Sequence, residues 1–139
     1  MSSCRRKEIR AALPATLEAV EEFFPGFRRW SEGLASRDRF AAELLLREAL
    51  TNAVIHGSGG NPCREVRCAV RMHGARLTIT VADEGEGFDW RTAWDYRAPG
   101  LSVSGRGMEI FRTYATRVRF NRKGNVTSIV RRLGRGEEI

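Results

Sequence analysis

At 139 residues the chain is the size of one domain, and a chain of that length buries about two-thirds of its unfolded surface without disulfide or metal staples. Hydrophobic content of 42% and charged content of 29% are those of an ordinary globular protein and exclude a disordered or fibrous chain. The net charge of +7, carried almost wholly by arginine, favours acidic partners, but the arginines are scattered, so a solvated surface is a simpler expectation than a nucleic-acid stripe.

No apolar run approaches the roughly 18 residues that span a membrane. Met1 to Lys7 is basic but has no apolar stretch behind it, so no signal peptide is expected. These features predict a soluble, cytoplasmic protein folding as a single domain over 1–139. The odd cysteine count, Cys4, Cys63 and Cys68, argues against a disulfide framework. Cys63, Cys68 and His73 recur at intervals of five in a strand-like segment. Odd intervals send successive side chains to opposite faces, so the three do not converge on one zinc ion.

In chain order, residues 7–13 alternate loosely and predict an edge strand closed by Pro14. Thr16 to Phe24 predicts a helix with Leu17, Val20, Phe23 and Phe24 on its apolar face. Pro25-Gly26 is expected to end or kink it, and Phe27 to Leu34 to resume it. A central helix is predicted over 36–57, with Ser36 as N-cap, Asp38 in the first turn, and Gly57, Ser58, Gly59 and Gly60 as its stop. On a wheel with a period of about 3.6, Arg39, Glu43 and Arg47 share a polar stripe, with Ala41, Leu44, Leu45 and Ile55 opposite. Glu48 and Asn52 fall inside the apolar stripe, one turn apart. Buried polar groups require partners. Either the two bond each other or the backbone, or they form a metal-and-base pair, the Asn carbonyl binding magnesium and the Glu orienting or deprotonating a hydroxyl.

Residues 64–73 alternate strictly, with Val66, Cys68, Val70 and Met72 on one face: a half-buried strand. A turn at 73–76 leads to a second strand, Arg76 to Ala82, with Leu77, Ile79 and Val81 inward. The same parity places Asp83 on the inward face at the strand's end. Asp83-Glu84-Gly85-Glu86-Gly87 then lets the backbone turn sharply and a ligand approach closely. Residues 88–104 show no period and predict a long lid or binding loop. Gly105-Arg106-Gly107 precedes a predicted helix from Met108 to Tyr114, whose N-terminus suits phosphate. Two final strands, 116–121 and 126–133, are joined by a hairpin turn at Lys123-Gly124-Asn125.

Each of these signals is weak alone. Together and in this order, Glu48-x3-Asn52, Asp83-x-Gly85-x-Gly87, a lid-like loop and Gly105-x-Gly107 resemble the N, G1 and G2 boxes of the GHKL (Bergerat-fold) ATPases. Within them the chain most resembles the RsbW-type anti-sigma-factor serine/threonine kinases. The phrase Glu48-Ala49-Leu50-Thr51-Asn52-Ala53-Val54-Ile55-His56-Gly57 is close to that family's N box, and the likeness covers nearly the whole chain.

The resemblance implies an α/β (α+β) two-layer sandwich: the Bergerat ATP-binding fold, with a mixed, mostly antiparallel sheet and about three helices on one face. It implies ATP and magnesium between the layers, with ADP as product. Position by position, Asn52 matches the magnesium ligand and Glu48 the catalytic residue that polarises the attacking hydroxyl. Asp83 matches the carboxylate that accepts from the adenine amino group, and Gly85 and Gly87 the turn beside the base. Gly105 and Gly107 match the backbone that wraps the phosphates. Arg106 either adds charge near the β- or γ-phosphate or is an exposed arginine. Met108 stands where leucine is usual, a volume-conserving change. The threonine that supports adenine from the last strand has its nearest counterpart in Asn125, with Thr127 two residues on. His56 reads as a helix-end cap.

No phosphoacceptor-histidine helix precedes the motifs and no transducer domain follows, which argues against a complete sensor kinase. The implied function is an anti-sigma factor that sequesters a sigma factor and phosphorylates an anti-anti-sigma antagonist, as a possible homodimer without direct nucleic-acid or membrane contact. The alternative is a nucleotide-binding regulatory module with little or no kinase activity.

Overall fold

The computed structural model describes residues 6–86 and 107–134. The lid segment 88–104, together with Gly87, Gly105 and Arg106, lies outside the described residues. Nine residues of alternating pattern, Arg6–Pro14, form strand β1, and they pair along their full length with β2, Glu65–His73, from Arg6 opposite His73 to Pro14 opposite Glu65. β2 turns through Gly74, at a φ of 61°, into β3, Arg76–Asp83. β3 pairs with β5, Val126–Arg132, and β5 with β4, Arg117–Phe120. The order is β1-β2-β3-β5-β4, and every described pairing is antiparallel.

Helices α1, Leu17–Trp30, and α2, Ser36–Asn52, are inserted between β1 and β2; α3, Gly107–Tyr114, precedes β4. Their apolar faces close over one face of the sheet. Phe24, Phe27, Leu45, Leu46 and Leu50 meet Val66, Val70, Leu77, Ile79 and Ile129 in a single core. The two-layer α+β sandwich expected from the sequence is therefore the fold.

Three local expectations fail for identifiable reasons. Pro25-Gly26 does not interrupt α1. Proline in a helix costs about 3 kcal/mol, whereas burying the two phenylalanines that flank it, Phe24 and Phe27, stabilises by about 1.5–3 kcal/mol each. The carbonyl left without its partner belongs to exposed Glu21, where water can satisfy it. Ser36 is not the N-cap of α2; Ala35 holds that position and no side chain caps it. Asp38, in the first turn, is instead buried and takes two hydrogen bonds from the Arg131 guanidinium, at 3.1 and 2.9 Å, and one from the Gly134 N–H, at 2.9 Å. Finally, Ile55 is 46% exposed rather than inward. The α-helix ends at Asn52, and Ala53–Gly57 is π-helical. The Ser58 N–H reaches the Ala53 carbonyl at 2.8 Å, one residue further back than in an α-helix. That winding rotates the last turn off the wheel. A fourth expectation also fails: Leu17, the first residue of α1, is half exposed rather than on the buried face.

Candidate functional site

The winding change places the candidate site. Ala49, Asn52, Ala53 and Gly57, from the end of α2 and the π-helical turn, face Val81, Asp83, Gly124 and Thr127, from the sheet, across a narrow cleft. The space among these side chains is about 10 Å³, room for about one water molecule. Strand parity carries Asp83 here, as the alternation of Leu77, Ile79 and Val81 implies.

Asp83 is fixed on both sides. Its backbone N–H donates to the Asn125 carbonyl at 3.0 Å, and the Asn125 amide donates to its carbonyl at 3.2 Å. Its Oδ1 accepts from the Gly85 N–H at 2.7 Å, while Oδ2 has no donor among the described residues. Burial pushes the Asp83 carboxyl above its usual range, against the Gly85 hydrogen bond and the charges of Arg64 and Lys123. An aspartate with one oxygen anchored and one open to the cleft is suited to accept a hydrogen bond from an exocyclic amine.

Gly57 and Gly85 make this arrangement possible by lacking side chains. A Cβ on Gly57 would overlap the Asp83 carboxylate, with even its Oδ1 only 2.6 Å away. A Cβ on Gly85 would collide with the Gly57 carbonyl group, whose carbon would lie 2.6 Å off. The turn after β3 thus packs backbone to backbone on the turn after α2. The sequence marks Gly57 only as a helix stop; its contact with Asp83 is long-range and has no local signature. Thr127, opposite Val81 in the β3–β5 register, lines the cleft, whereas Asn125 braces the Asp83 backbone. Of the two last-strand candidates, Thr127 is the one that faces the cleft.

Glu48 and Asn52 lie one turn apart, both half-buried. Burial raises the Glu48 carboxyl above its usual range; a hydrogen bond from the Asn52 side chain and the nearby charge of His56 act the other way. The two readings of this pair are compatible. An Asn52 amide that donates to the carboxylate leaves its carbonyl oxygen for a hard cation. Among the described residues no group of three His, Cys, Asp or Glu side chains could hold a metal ion. A magnesium ion here would rely on Asn52 and on oxygens from its own ligand. Gly107 opens α3, and the Met108 side chain is buried in the core, so any contact of Met108 with a ligand falls to its backbone.

A profile of the histidine kinase-like ATPase domain matches residues 13–131. The chain belongs to that family. Membership implies ATP as the ligand, and the cleft between helices and sheet is where its carboxylate, amide and glycines converge. The chain is also similar to an anti-sigma F factor of Bacillus cytotoxicus, 35% identical over 78 residues, covering 53% of each chain. It thus spans about half the length of the curated relative it matches. No helix among the described residues is long and apolar enough to cross a membrane.

Proposed function

We propose that this chain is an ATP-binding anti-sigma factor and protein serine/threonine kinase working in the cytoplasm. It would sequester a sigma factor and phosphorylate a small anti-anti-sigma antagonist, which then loses its hold. The observation that carries the reading is the meeting of Asp83 with Asn52 across one cleft of an ATPase-family domain, with Glu48 one helical turn from Asn52 and within its hydrogen-bonding reach; the similarity to an anti-sigma F factor supports the partner class.

In this reading Asp83 accepts from the adenine amino group through Oδ2, with Thr127 beside it. Gly57 and Gly85 keep the carboxylate in place. Asn52 holds magnesium through its carbonyl, and Glu48 accepts the proton of the attacking hydroxyl. A carboxylate with a raised pKa is a better base for that purpose. ATP-Mg supplies the transferable phosphoryl group and its charge neutralisation. Gly87, Gly105, Arg106 and Gly107 are proposed to enclose the base and phosphates.

Two measurements test this. Calorimetric titration of ATP with magnesium into wild type, Asn52→Ala and Asp83→Ala should show binding weakened by both changes. Transfer of labelled γ-phosphate to an anti-anti-sigma protein should then disappear in Glu48→Ala while ATP binding stays. Binding without transfer in the wild type would leave a nucleotide-dependent sequestering module. Absence of ATP binding would overturn the proposal.

A further inference from the structure

The sheet has a second face, which no described helix covers. Across its antiparallel register, Arg6 stands opposite His73, His73 opposite Arg76, and Arg76 opposite Arg132. Directly opposite residues share a face, so these four side chains form one exposed row across β1, β2, β3 and β5. Neighbouring positions add exposed Arg10, Arg67 and Arg71, and on β4 Arg117 and Arg119. Glu8 pairs with Arg10 and Arg71, and Glu65 with Arg67. Eight arginines against two glutamates leave six charges uncompensated on these strands. Among the described residues no carboxylate pairs with Arg76, Arg117, Arg119 or Arg132. Arg76 directly opposite Arg132 is a like-charge pair, which destabilises a sheet. The scatter of arginines along the sequence becomes a concentration in space.

The same end of the sheet carries a groove of about 500 Å³, lined by His73, Ala75, Arg76, Thr116, Arg117, Val130 and Arg132. Its lining therefore mixes guanidinium groups with the methyl groups of Ala75, Thr116 and Val130. We propose that this face is a docking surface for an acidic helical segment of a partner protein. Carboxylates of that segment meet the row of Arg6, Arg76 and Arg132, and an apolar side chain enters the groove beside Arg117.

Three observations select this occupant. Adjacent strands space the row's side chains by about 4.8 Å. Residues four apart on a helix are about 5–6 Å apart, so an acidic helix laid across the strands keeps register with the row. The strand positions on this face include no Phe, Tyr or Trp, so bases of a single-stranded nucleic acid have no platform to stack on. A second copy of this chain would set cations against cations. The face lies on the other side of the sheet from the nucleotide cleft and does not depend on it.

The test is fluorescence anisotropy with a labelled synthetic helical peptide carrying glutamate at every fourth position and leucine between, compared with duplex DNA of equal charge. Wild type should bind the peptide more tightly than the DNA, and binding should weaken as salt rises from about 50 to about 300 mM. R76E/R132E should lose about tenfold or more in peptide affinity. R29E/R39E, an equal charge change on exposed residues of the helical layer, should stay within about twofold. R117Q, a milder change at the groove, should lose about threefold and keeps the test available should the double reversal fail to fold. ATP binding in R117Q should match wild type, which separates this surface from the cleft. Equal losses in R76E/R132E and R29E/R39E would reduce the effect to net charge and overturn the proposal. Preference for the duplex, or no binding of the peptide, would overturn it as well.

Discussion

Gly57→Ala isolates the geometry of the cleft in one methyl group. Gly57 does not have a positive φ, so alanine is allowed by the backbone and the whole effect is steric. The added Cβ would lie 2.6 Å from Asp83 Oδ1 and closer still to the rest of the carboxylate, while ordinary contact begins at 3.4 Å. Asp83 must therefore retreat by about 1 Å. Its short side chain cannot do so while keeping the 2.7 Å bond from the Gly85 N–H. Overpacking of this kind costs about 1–3 kcal/mol. For a chain of this size each kcal/mol lowers Tm by about 3 °C, so a fall of about 3–10 °C is expected. Loss of the charge-assisted bond and of the carboxylate's placement should weaken ATP binding by about 10–100-fold, or about 1.4–2.8 kcal/mol. Calorimetric titration and a thermal melt read both quantities. A variant that melts with the wild type and binds ATP equally well would refute the claim that Gly57 holds Asp83 in register.

Glu48→Gln should raise Tm at neutral pH. The folded pKa of Glu48 lies above its ordinary 4.5, so the stability it contributes is present below about 4.5 and is lost as pH rises through the folded value. The advantage of the glutamine variant should therefore shrink as pH falls towards about 4; a constant difference across that range would refute the assignment. Asp38→Ala leaves the Arg131 guanidinium, whose side chain is 15% exposed, without its carboxylate and with the Tyr114 carbonyl as its remaining acceptor, and removes the acceptor of the Gly134 N–H. Breaking a buried pair from one side costs about 3–5 kcal/mol, and the urea midpoint should fall by about 2 M; a shift under about 0.3 M would show the pair to be dispensable. Burial pushes the Cys68 thiol to about 11, while Cys63 is exposed. Alkylation near pH 8 should modify Cys63 in the native protein and Cys68 only after unfolding, and equal rates would place Cys68 at the surface.

The strands were the most legible part of the chain. Val66, Cys68, Val70 and then Leu77, Ile79, Val81 alternate without interruption, and a period of two has no room for drift, so the inward position of Asp83 followed before any tertiary contact was known. The helices were less so. One wheel of 3.6 residues per turn cannot describe α2 and the π-helical turn together, which is why Asn52 falls where expected and Ile55 does not. Pro25-Gly26 is a local stop signal overridden by burial of Phe24 and Phe27. Gly57 against Asp83, Arg131 against Asp38, and the row from Arg6 to Arg132 join residues far apart in the chain. A sequence read locally holds each member of these sets but not their adjacency.

The Asp38–Arg131 pair sets a condition on synthesis. Its members are separated by 93 residues, and Arg131 lies on β5, the inner strand between β3 and β4 and the last of the sheet to be synthesised. A ribosome adding about 5–20 residues per second leaves Asp38 without its partner for about 5–20 s. During that time burying the carboxylate at the start of α2 without its partner would be costly. Closing the core around α2 is therefore expected to be favoured only once the strand that brings both Ile129 and the guanidinium has been made.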